Sequence, residues 1–182
     1  MFVSEELRKN NIAEYLLYMW QVEDLIRANG FDVEKLVAAS CICNGSTGMD
    51  SLRDWYVNLI DMMSREGVRE NGHLQINDNI LILMTDLHER IMKCDGCDKY
   101  KQLYYNALPM IVGYRAKSDS LEKGELESCF EFMYGVWMLK LQGKTLSDGT
   151  VDAAARVSAF LAQLAAYYKL DCNGQLDLEK EK

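Results

Sequence analysis

Large apolar side chains return every third or fourth position along nearly the whole chain, and this spacing restricts the fold more than any other feature. In the first segment Ile12, Tyr15, Met19, Val22 and Ile26 fall on one face of a helix of 3.6 residues per turn. Ser4 is placed to cap its start, Glu5 and Glu6 suit the positive end of the helix dipole, and Gly30 suits a C-terminal stop. The expectation is one helix over residues 4–30, then a short helix over residues 32–39 and a Gly/Ser loop over residues 44–48.

The same spacing continues downstream. Leu52, Trp55, Tyr56, Leu59 and Met63 form one side of a helix, Asp54, Asn58, Asp61 and Arg65 the other, and Gly67 should end it. Ile76, Ile80, Leu83, Met84, Leu87 and Ile91 mark a fourth helix, stopped by Asp95 and Gly96. A fifth, over residues 99–115, contains Pro109, which removes a backbone donor and crowds the carbonyl of Tyr105; a kink or a split is expected there. Leu126, Cys129, Phe130, Met133 and Trp137 mark a sixth helix over residues 122–141, with its stop at Gly143. In a seventh, over residues 150–170, Val157, Phe160, Leu161, Leu164 and Tyr168 form the stripe, and Ala155, Ala159, Ala162 and Ala166 permit close helix approach.

Period-two alternation is never sustained, and Pro109 is the only proline, which argues against a chain of short strands and turns. Short connections between long helices favour antiparallel neighbours. The expected fold is therefore all-α, an up-and-down helical bundle of about six or seven helices. Residues 1–172 should form a single domain, followed by a frayed polar tail at residues 173–182.

Charge and composition narrow the function classes. The 28 acidic residues outnumber the 20 basic ones, giving −8, and no long basic stripe is present. Binding to nucleic acid or to an anionic membrane surface is accordingly not expected. The first residues, MFVSEELRKNN, lack the basic start and apolar run of a secretory signal, and no apolar stretch approaches the length of a membrane span. A cytoplasmic setting is the expectation, in which the six cysteines are read as thiols.

Several side-chain groupings invite a chemical reading, and each has a plainer one. Cys94 and Cys97 form a C-x-x-C pair that can chelate a metal or cycle as a dithiol. Only Cys41 and Cys43 offer a second cysteine cluster, and the βαβ setting of a redox motif is missing, so loop or core thiols are the commoner outcome. Glu70 and His73 have the E-x-x-H spacing of di-iron bundles, which need two such pairs and two further glutamates, where this chain has one pair in a loop beside Gly72. His88, at the shoulder of its helix's apolar face, suits a general base or ligand; the plainer reading is a partly buried ring satisfied by one acid.

Glu23 lies at the edge of the apolar stripe of the first helix, one turn before Arg27 and flanked by Trp20. The ordinary outcome is an i,i+4 surface bridge between Glu23 and Arg27. Leu17 and Leu25, however, make this helix apolar on more than one side, which suits a central helix or half of an interface. The run KYKQLYYN, residues 99–106, mixes bases with Tyr100, Tyr104 and Tyr105 and reads best as a half-buried amphipathic helix. Gly-rich phosphate loops, H-E-x-x-H and G-x-S-x-G are missing, so neither a cofactor nor a catalytic residue is expected.

The stretches EYLLYMWQVEDLIRANG (residues 14–30), WYVNLIDMMSREGV (55–68) and NGHLQINDNILILMTDLHERI (71–91) resemble a bacterial family of uncharacterised all-helical proteins of about this length, a domain of unknown function. The resemblance extends over the whole chain and is strongest in its first half. It implies a helical protein and brings no assigned activity, cofactor or catalytic residue. The CICNGSTG stretch, residues 41–48, matches no part of that pattern.

The functional expectation is a non-enzymatic bundle that binds a protein partner or a second copy of itself. It is motivated by the surplus of large apolar side chains on the first helix. The alternative is a small-molecule or cofactor binder, possibly an enzyme, with Trp20, Glu23, Arg27 and His88 lining a pocket between helices.

Overall fold

A computed structural model of the chain describes residues 3–44, 49–117 and 123–178, apart from the side chains of residues 41–44. The fold is all-α. In chain order the helices are α1 (Val3–Asn10), α2 (Ile12–Ala28), α3 (Val33–Asn44), α4 (Met49–Arg65), α5 (Gln75–Lys93), α6 (Asp98–Lys117), α7 (Glu125–Leu141) and α8 (Asp148–Cys172), with no strand among the described residues. Of the loop expected over residues 44–48, Asn44 belongs to α3 and the rest lies outside the described residues, as do the expected helix start at Glu122 and the last four residues of the tail.

Among the described residues eight helices stand where six or seven were expected, because the first divides at Asn11. Asn11 Oδ1 accepts a hydrogen bond from the Glu14 backbone N–H (3.3 Å), and Asn11 Nδ2 donates to Glu14 Oε1 (2.8 Å). The first bond is a helix N-cap, an asparagine side chain accepting from the amide three residues on, and the second ties the two side chains together, while the Asn11 backbone N–H donates to the Leu7 carbonyl (2.7 Å). The cap starts a new helix at Ile12. Ser4 is correspondingly no cap: it is buried inside α1.

Pro109 does not split its helix, and α6 runs from Asp98 to Lys117. The proline lies on the solvent-exposed face, and so does Tyr105, whose carbonyl loses its helical donor. Water can solvate that carbonyl, which limits the cost. The expected stops at Gly30 and Gly67 do hold. Both adopt positive φ (62° and 73°), and the next residue's N–H returns to the carbonyl five positions back, Phe31 to Ile26 and Val68 to Met63, at 3.0 Å each.

Two compact units divide the chain. Unit 1 comprises residues 1–17 and 81–182, and unit 2 comprises residues 18–80. In unit 1, α6, α7 and α8 pack against one another around Tyr100, Ala107, Phe130, Phe160 and Leu164. In unit 2, α3 packs on α4, with Leu36, Val37, Tyr56, Leu59 and Met63 buried. The Ser40 hydroxyl meets the Tyr56 hydroxyl at 3.0 Å, and Arg53 forks onto Glu34 (Nη2 to Oε2, 2.9 Å), which ties the same two helices.

The broad apolar surface of α2 is buried on several sides: Leu16, Met19, Trp20, Val22 and Ile26 are all shielded, and Leu25 is left partly exposed. The surplus that suggested an interface on this helix is therefore largely covered. Among the described residues no helix is long and apolar enough to cross a membrane.

The Asn11 cap carries a measurable consequence. Asn11→Ala should lower stability by about 1 kcal/mol in urea denaturation followed by circular dichroism. An unchanged midpoint would mean that Asn11 does not start α2.

Candidate functional site

Among the described residues Glu23 is the single buried carboxylate, its side chain 0% exposed. An ionised carboxylate taken out of water needs donors around it, and a short stretch about fifty residues downstream supplies them. Glu23 Oε1 accepts from the Leu74 backbone N–H (3.0 Å) and from Asn77 Nδ2 (2.6 Å), and Oε2 lies 2.7 Å from His73 Nδ1. Leu74 is the residue whose carbonyl accepts the first bond of α5, from the Asn77 and Asp78 N–H groups. A leucine side chain cannot cap a helix. Glu23 supplies the missing acceptor from α2, and Glu66 takes the next donor, the Gln75 N–H, at 2.7 Å. Two carboxylates thus stand at the positive end of α5.

The His73 ring is held from a second side by Trp20, stacked with centroids 4.1 Å apart and planes 9° from parallel. His73 remains 32% exposed, so one edge of the ring reaches solvent. Arg27, one turn beyond Glu23, donates through Nη2 to the carbonyls of Val68 (3.0 Å) and Gly72, and through Nη1 to Asp24 (2.8 Å). The expected Glu23–Arg27 bridge is not formed, because each side chain turns to the 66–74 loop instead. Together they fasten both ends of that loop to α2.

His88 belongs to unit 1 and has its own surroundings. Its Nδ1 lies 2.6 Å from the Tyr100 hydroxyl, and the rings of Tyr100, Tyr104 and Phe160 pack around it. The satisfying partner is a phenol, where the sequence had suggested an acid. Burial lowers the His88 pKa, against the pull of Glu125 and Glu89, and burial drives the Tyr100 hydroxyl well above the ordinary phenol range. A neutral imidazole therefore accepts a hydrogen bond from the Tyr100 hydroxyl, which keeps its proton. Beside it Tyr104 donates to Glu125 at 2.5 Å.

Of the four residues singled out in the sequence, Trp20, Glu23 and Arg27 come together within unit 2, and His73 completes the group. Its role there is unrelated to the E-x-x-H spacing with Glu70. The C-x-x-C pair serves the local structure: the Cys94 thiol donates to the Leu178 carbonyl (2.9 Å), and buried Cys97 offers its carbonyl to the Lys101 N–H at the start of α6 (3.1 Å). The Cys94 contact also holds residue 178, inside the tail that was expected to fray. The side chains of Cys41 and Cys43 lie outside the described residues. No group of three His, Cys, Asp or Glu side chains arranged for a metal occurs among the described residues.

A model of the family described as a domain of unknown function (DUF4924) matches residues 1–175. No curated protein and no solved structure matches the chain.

Two outcomes follow from this geometry. Glu23→Ala removes the acceptor of three donors and should destabilise the protein by about 2–4 kcal/mol in chemical denaturation. A loss below half a kcal/mol, the level of an ordinary surface change, would contradict the arrangement. Because the folded His88 pKa is lowered from 6.5, the unfolded chain binds more protons in the window just below that value. Stability should fall as the pH drops through that window and level off beneath the folded pKa. His88→Gln should flatten this part of the pH–stability curve, and an unchanged slope would refute the assignment.

Proposed function

Since the chain belongs to the DUF4924 family, whose description carries no activity, we propose from its own geometry that it is a non-enzymatic protein that works by binding, and that it binds a second copy of itself through the outer face of α6. One observation carries this reading. Tyr105, Pro109, Val112 and Ala116 are spaced by four, three and four residues, which puts them on one helix face, and all four are exposed, Tyr105 by 58% and Val112 by 54%. The opposite side of α6 buries Tyr100, Ala107 and Ile111 in unit 1. An uncharged apolar stripe of three turns left open to water, in a chain of net charge −8, is the kind of surface that association covers. A two-fold pairing needs only this one patch, presented by both copies.

The polar side chains support the non-enzymatic part. Glu23, Arg27 and His88 are each engaged by groups of the chain itself. This weakens the alternative of a ligand pocket lined by Trp20, Glu23, Arg27 and His88, since a pocket needs polar groups free to meet a ligand. The reading includes a reducing, cytoplasmic setting, which suits the burial of Cys97 and Cys129 as free thiols.

Light scattering at increasing protein concentration should show a dimer in equilibrium with monomer. Val112→Glu should shift that equilibrium to monomer by about tenfold or more, as expected for a charge placed in an apolar contact. A strict monomer at high concentration would overturn the proposal, and so would a dimer indifferent to this substitution.

A further inference from the structure

In unit 1, the last turn of α1 and the last two turns of α8 line a concavity of about 550 Å³. Its charged lining is wholly cationic, consisting of Arg8, Lys9 and Lys169. This is unexpected in a chain whose 28 acids outnumber its 20 bases. Elsewhere Arg53, Arg65, Arg90 and Arg156 each sit against a carboxylate. None of the three lining cations does so among the described residues. The Arg8 guanidinium lies 5.8 Å from the Tyr15 ring centroid, and Lys169 Nζ has Asn10 Oδ1 at 3.5 Å.

The carboxylates that would ordinarily pair with these cations are engaged elsewhere or do not reach them. Asp171, two residues from Lys169, is held by both Nη atoms of Arg90, at 2.9 and 3.0 Å. Glu5 stands four residues before Lys9, the spacing of a helical ion pair, and among the described residues no bridge joins them. Helix dipoles favour basic residues in the last turns of α1 and α8. They do not account for three unpaired cations from two helices gathered around one hollow.

We propose that this concavity binds a small, multiply charged oxyanion, a phosphate ester or a polycarboxylate with a short apolar body. A volume of about 550 Å³ falls within the roughly 300–1,000 Å³ of small-molecule sites. Arg8 offers a planar fork that matches an oxyanion in two places, and Lys9 and Lys169 add point charges. Asn10 and Asn173 bring further polar groups, and Ile12 and Ala165 give the carbon part of the ligand an apolar surface. The Tyr168 hydroxyl, pushed up to about 12 by burial first and by neighbouring Cys172 second, keeps its proton and can donate. None of the candidate site residues named from the sequence lines this hollow, although Ile12 and Tyr168 of the apolar stripes do.

The test is a heteronuclear NMR titration of the full chain at low ionic strength, where exposed charges act most strongly, with pyrophosphate in one arm and citrate in the other. Saturable binding is expected in at least one arm, with amide shifts centred on residues 8–12 and 165–173, and the stronger arm identifies the oxyanion class. The double variant Arg8→Gln/Lys169→Gln should keep its helical circular dichroism and bind about tenfold or more weakly. Lys144→Gln, which removes an exposed cation outside the hollow, should bind as the parent chain does. The proposal is overturned if neither arm saturates, if the shifts centre elsewhere, or if both variants weaken binding equally.

Discussion

A carboxylate carried into an apolar interior dictates what the chain around it must do. Glu23 is fully buried, and an ionised carboxylate there is tolerated only when donors surround it. His73, the Leu74 N–H and Asn77 provide them, all within five residues of sequence. The dependence is mutual. α5 opens on a leucine that cannot cap it, so its first turn needs an acceptor from elsewhere, and α2 brings one. Arg27 then holds the loop carbonyls that precede this start. One turn of α2 thereby determines where the 66–74 loop runs and where the next helix begins.

That arrangement bears on function. Acids, histidines and arginines near apolar surface are the usual candidates for chemistry, and here Glu23, Arg27 and His73 bond to the chain itself. His88 shows the same pattern in unit 1, neutral and bonded to a phenol among aromatic rings. The groups left over are of a different kind: an apolar stripe on α6, and cations without carboxylates at the ends of α1 and α8. Both are features of recognition surfaces, and the proposed binding roles rest on them.

The helices could be read from sequence because each buries a stripe with a 3.6-residue period, and that period survives whatever the helix packs against. The features missed depend on context. The N-x-x-E signal at Asn11 and Glu14 is present in the text, but the uninterrupted apolar stripe on either side masks it. Pro109 leaves its helix unsplit, and what the proline costs depends on whether the freed carbonyl meets water, which is a tertiary property. Glu23 stood out at the edge of its stripe, whereas its pairing with His73, fifty residues away, follows only from the fold. The cationic hollow is likewise invisible in sequence, where Arg8, Lys9 and Lys169 are three ordinary surface bases at opposite ends of the chain.

The account rests on the Glu23 carboxylate holding the start of α5. Native-state amide hydrogen exchange at Leu74 addresses this most directly, because that N–H is the donor Glu23 caps. In the parent chain it should exchange as slowly as the core amides of α4. In Glu23→Ala it should exchange faster, while the amides of α8 keep their protection relative to global unfolding. A Leu74 amide that exchanges like an exposed loop, or that is unmoved by the substitution, would contradict the account.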